Sequence, residues 1–118
     1  MSSTLIFTAL ERERELLQNI ICLSEEQHLM LAEEDLGGFD TLLDRRADLT
    51  REISEIEEIL MEWISSIDTS ISPDILARMR AINEEVIRMA DHVVKMDKRS
   101  QTILNLILIG LRRSTDPS

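Results

Sequence analysis

Glu25 and His28 stand three residues apart, the Glu-x-x-His spacing that puts a carboxylate and an imidazole on one helix face in di-iron bundles. Such a site uses the motif twice and needs further carboxylates. The only other histidine is His92, and the residue three before it is Met89. A surface or partly buried histidine is the better reading, and no metal site is expected. The single cysteine, Cys22, sits among Ile20, Ile21 and Leu23 and reads as a buried, inert thiol. There is no glycine-rich phosphate loop, no nucleophile elbow and no Cys/His set with zinc spacing. The expectation is a protein that is not an enzyme, with no catalytic residue and no cofactor.

If the chain performs no chemistry, its work is binding, and composition narrows the partner. Its 118 residues make one domain. Hydrophobic residues are 43% and charged residues 31%, with three Gly, two Pro and no Tyr, a mixture suited to long helices rather than sheets. A formal charge of −10 argues against a nucleic-acid binder, and no nucleic-acid partner is expected; it disfavours anionic membranes for the same reason. With one cysteine there is no internal disulfide, which fits a reducing compartment. Met1 to Phe7 lacks the basic region and apolar run of a secretory signal. The longest apolar run, Ile103 to Leu111, contains Asn105 and Gly110 and falls far short of the roughly 20 residues that cross a bilayer. No membrane span and a cytoplasmic location are expected.

Two breaks, Asp35-Leu36-Gly37-Gly38 and Asp68-Thr69-Ser70-Ile71-Ser72-Pro73, divide the chain into helices over about 4–34, 40–67 and 73–111. Gly37-Gly38 reads as a helix C-cap and turn, and Asp40 as the N-cap of the second helix. Ser72, Pro73 and Asp74 form a strong start for the third. That third helix has a seam in steps of four and three: Ile75, Met79, Ile82, Val86, Met89, Val93, Met96, Ser100, Ile103, Ile107, Gly110. The second repeats it with Leu42, Arg46, Leu49, Ile53, Ile56, Leu60, Trp63 and Ile67. In the first helix the stripe is broader and takes in Glu13, Ser24 and Gln27, which predicts loose or wet layers. Trp63 and the seam methionines read as core.

An all-α fold of three long helices follows, an antiparallel coiled-coil-like bundle with the third helix longest. Short connections between sequential helices place the second between the first and third. At about 1.5 Å per residue, the third outruns the others, and its last ten or so residues overhang. There Ile103, Leu104, Leu106, Ile107, Leu108, Ile109 and Leu111 point in all directions, so a single seam cannot bury them. They are the candidate partner-binding residues. Cover comes from a client protein, from a second copy in a homodimer, or from Leu5, Ile6 and Phe7. Charge is uneven too, −6 over residues 1–35, −6 over 36–72 and +2 over 73–118, which draws the third helix to the other two.

Leu16-Leu17, Glu25-Glu26-Gln27-His28-Leu29, Asp35 at the break, then Leu42-Leu43, Arg45-Arg46, Leu49 and Ile53 form a pattern that resembles the FlgN-type flagellar export chaperones. The likeness covers rather less than half the chain, and the related FliT-type chaperones are similar in design. It implies a bacterial cytoplasmic, non-enzymatic chaperone for type III protein export. Its partners would be flagellar hook-associated or other axial clients, and the export apparatus. In that family the C-terminal part takes a large share in client binding, which maps onto Ile103 to Leu111. The alternative is a homo-oligomeric coiled-coil structural or adaptor module.

Overall fold

The computed structural model describes residues 3–65 and 71–115, all helical apart from two short connections. Helix α1 spans Ser3–Ala32, α2 Leu36–Ser65 and α3 Pro73–Thr115. Residues 66–70, which include Ile67 and the first half of the second break, lie outside the described residues.

The first break is tighter than its two glycines suggest. Helix α1 ends in a Schellman motif: the Asp35 amide donates to the Met30 carbonyl at 2.8 Å and the Glu34 amide to that of Leu31 at 3.0 Å. The residue carrying the left-handed φ, 58°, is Glu34 rather than a glycine. Asp35 then caps α2, its Oδ1 accepting the Gly38 amide at 2.9 Å and its carbonyl that of Phe39 at 3.1 Å. The cap is therefore Asp35, not Asp40, and Gly37 and Gly38 lie in the first turn of α2 rather than in the turn between helices. Gly38 is there for space: a Cβ would meet Asp35 Oδ2 at 2.6 Å and Met30 Sδ at 2.9 Å. At the start of α3 the expected cap is present, with the Ser72 carbonyl accepting the Leu76 amide at 3.1 Å and its Oγ that of Ile75 at 3.4 Å.

The predicted seams are the buried faces. Leu16, Leu17, Ile20 and Ile21 meet Ile53 of α2 and Val86 and Val93 of α3 in one cluster; Ile6 and Leu10 meet Leu60 and Met79 in a second. Met89 and Met96 pack against the first and Trp63 against the second. Cys22, expected inside, is exposed, because α1 buries positions 20, 21, 24 and 27 and turns residue 22 away.

The helix order departs from the expectation: α1, not α2, is central. It packs against both other helices, whereas no α2 Cα comes within 8 Å of an α3 Cα among the described residues. A helix serving two neighbours needs a wide apolar arc, and only α1 has one. What joins α2 to α3 is a side chain. Arg46 donates to both carboxylate oxygens of Asp97 on α3, at 2.7 and 2.8 Å, and to Gln27 Oε1 on α1 at 2.8 Å. Each helix pair thus has an ion pair, with Arg12–Glu52 joining α1 to α2 and Arg14–Glu85 joining α1 to α3.

Phe7 lies under Arg78 and Arg14 pairs with Glu85, each pair 71 residues apart, so α1 and α3 run parallel in fixed register. Carried forward, that register sets Ala32, the end of α1, beside Ile103. Everything beyond on α3 overhangs, and the molecule is a rod of 72 × 20 × 19 Å.

Replacing Arg46 with Ala strips Gln27 and Asp97 of their shared donor and is expected to lower unfolding stability by about 1–3 kcal/mol, since hydrogen bonds to charged groups carry that much. Urea denaturation followed by Trp63 fluorescence measures it, and an unchanged midpoint would show that the clamp is ornamental. Glu34→Gly relieves the left-handed backbone and should gain roughly 0.5–1 kcal/mol in the same assay; a loss would contradict the Schellman assignment.

Candidate functional site

Glu25, His28 and His92 do come to one shallow depression between α1 and α3, together with Leu29, Met96 and Arg99. The fold thus brings the two histidines together, which spacing alone did not show. All three titratable side chains are exposed, and among the described residues no group of three His, Cys, Asp or Glu is placed to hold a metal ion. A guanidinium in the same depression further disfavours a cation there.

The end of α3 is where the sequence placed a binding segment. Ile103, Leu104 and Ile107 are half-buried, while Leu106, Leu108, Ile109 and Leu111 are exposed, Leu106 by 64%. Glu34, from the α1–α2 break, lines a 340 Å³ hollow with Ile103, Leu106, Ile107, Gly110 and Leu111. Nothing stands within 4 Å of a Cβ built on Gly110, so the hollow opens outward there. The N-terminal residues weighed as cover are at the far end of the rod: Ile6 and Phe7 belong to the Met79 cluster. No helix among the described residues is long and apolar enough to cross a membrane.

A second surface follows from the separation of α2 and α3. Between them runs an open groove of about 610 Å³, floored by α1 and walled by the other two helices. Its lining is apolar except for Arg46 and Thr50 toward one end, Asn83 on α3, and Glu13 with Glu57. Glu13 is 5% exposed and makes no hydrogen bond or ion pair among the described residues. Burial, reinforced by the like charge of Glu57, pushes its carboxyl up to about 7 from an ordinary 4.5. In the sequence Glu13 was visible only as an interruption of the α1 stripe; that the stripe lies beneath a gap required the helix order.

No family of known proteins matches the chain, and no curated protein or solved structure matches it either.

The raised carboxyl has a definite sign. Between pH 4.5 and about 7 the folded chain keeps a proton that the unfolded chain has released, so the Glu13 contribution to stability falls as pH rises through that window and stays low above it. Glu13→Leu is expected to raise stability at pH 8 by roughly 1–3 kcal/mol and to flatten the dependence between pH 5 and 7. Thermal melts across that range check both effects; a destabilised variant with an unaltered pH profile would refute the burial of a strained carboxylate.

Proposed function

We propose that this protein is an export chaperone of the FlgN type. It binds hook-associated or related axial proteins in the cytoplasm through the end of α3 and prevents their premature assembly until type III export. The observation that supports this reading most directly is the parallel register of α1 and α3, which leaves Leu104 to Leu111 beyond the reach of α1 with four large aliphatic side chains exposed. An overhanging helix with apolar residues on every side suits capture of an amphipathic client helix, which can lay its own seam against it. The rigid remainder of the rod holds that segment out into solvent. The family likeness supplies the client class, and the residues of the α3 end supply the contact.

The test uses the full-length protein and a purified hook-associated protein from the same genome. Leu106→Asp with Ile109→Asp changes only exposed side chains, so helicity should persist while client affinity falls about 100-fold, two anchors each contributing on the order of 1–2 kcal/mol. Unchanged affinity would move the client site elsewhere. If sedimentation instead shows a tight dimer that the same substitutions dissolve, the exposed segment is an oligomer interface and the chaperone reading fails.

A further inference from the structure

We propose that the groove between α2 and α3 is a second protein-docking site, built for an amphipathic partner helix that carries one lysine or arginine within its apolar face. The shape fits a helix. From Arg46 to Met61 the α2 wall extends about 22 Å, the length of about four helical turns. Leu10 and Leu17 form an apolar floor, and Met61 and Ile87 stand out as apolar lips, 74% and 59% exposed. A fourth helix laid there would fill the gap between α2 and α3 and complete a four-helix bundle.

The charge requirement comes from Glu13. A glutamate that is nineteen-twentieths buried, with no hydrogen-bond or ion-pair partner among the described residues, is costly in a folded chain. This one lines the groove from its floor, with Glu57 on the α2 wall as a like charge acting on it. Among the described residues the only cation lining the groove is Arg46, already engaged with Asp97 and Gln27, and the α3 wall presents the neutral Asn83 and no charged side chain. A partner ammonium or guanidinium entering among the leucines would meet the buried Glu13 and the exposed Glu57, and the partner helix itself would exclude water from the pairing and strengthen it. A metal ion is the poorer occupant, because two carboxylates on an apolar floor offer too few oxygens for a hard cation. A second copy is poorer too, since each chain carries −10 and both groove-facing α1 and α2 are acidic. The site is separate from the α3 end and stands whether or not that end binds an export client.

The experiment titrates the full chain with two fluorescein-labelled helical peptides of about 18 residues. They share a leucine seam and differ only in a central Lys or Leu. At pH 8 the Lys peptide should bind at least about tenfold more tightly than the Leu peptide. Glu13→Gln should abolish that preference and Glu13→Leu reverse it, while Leu106→Asp with Ile109→Asp leaves it intact, which separates this site from the chaperone surface. Lowering the pH to 6 should narrow the preference, as Glu13 takes up its proton. Equal affinities, a preference that survives in Glu13→Gln, or binding of neither peptide would overturn the proposal. So would a self-associating chain whose dimer is lost on Met61→Asp, because the groove would then belong to a second copy.

Discussion

Arg46 is the side chain on which the arrangement of three helices depends. Helices α1 and α2 are held together by a short break and an apolar seam, and α1 and α3 by a parallel seam in fixed register. Between α2 and α3 there is no close backbone approach, so a long, forked cation reaching Asp97 while also donating to Gln27 sets their spacing and their register. Guanidinium suits this role better than ammonium would: its planar fork satisfies two carboxylate oxygens and an amide oxygen from one stem. The clamp lies toward the break end of the bundle, leaving the rest of the α2–α3 gap unbridged.

The polar residues that interrupt the three seams are thus not scattered defects. Gln27 of the α1 seam and Arg46 of the α2 seam are bonded to each other, Arg46 also to Asp97 beside the α3 seam, and the seam serines Ser24 and Ser100 are buried, Ser100 lining the same hollow as those three. Satisfaction is incomplete, since Ser24 Oγ, Gln27 Nε2 and Arg46 Nε are buried without a protein partner. Such a layer favours one register over slipped alternatives, because a slip would separate Arg46 from both acceptors and leave a charge buried alone. Glu13 is the exception. It interrupts the α1 seam as Gln27 does, yet it has no ion pair among the described residues, and burial with the like charge of Glu57 makes its carboxyl take the protonated form more readily.

Much of the fold was legible because helical periodicity reports burial directly. On α3 every seam position from Ile75 to Ile107 is buried or half-buried, and on α2 the same holds from Leu42 to Trp63. The overhang was legible because length converts to distance at a constant rise. What periodicity cannot report is which helix is central, as adjacency in sequence favours the middle one; the clue was the breadth of the α1 stripe. At the first break, two adjacent glycines outweighed Asp35, although the aspartate's capping bonds and the close approach of Met30 decide the geometry. Cys22 was misplaced for a related reason. Apolar neighbours in sequence are not neighbours on a helix, where residue 22 is turned about 100° from residue 21.

A central α1 and an overlong α3 have a common consequence for binding. In a closed three-helix bundle each helix covers the other two and leaves no apolar face over. Here α1 spends its wide arc on two neighbours that do not meet, so one side of the bundle stays open, and α3 continues past the only helix that covers it. The two apolar surfaces differ in kind. The α3 end projects past α1, is aliphatic apart from Asn105 and Gly110 between Ile103 and Leu111, and has one acidic neighbour, Glu34, at its hollow, so hydrophobic area dominates its surface. The groove is concave and has a carboxylate in its floor, so it can reject a purely apolar helix that leaves Glu13 unpaired. In the two binding roles proposed above, that difference would separate partners: one surface tolerant of many seams, the other requiring a charge at one position.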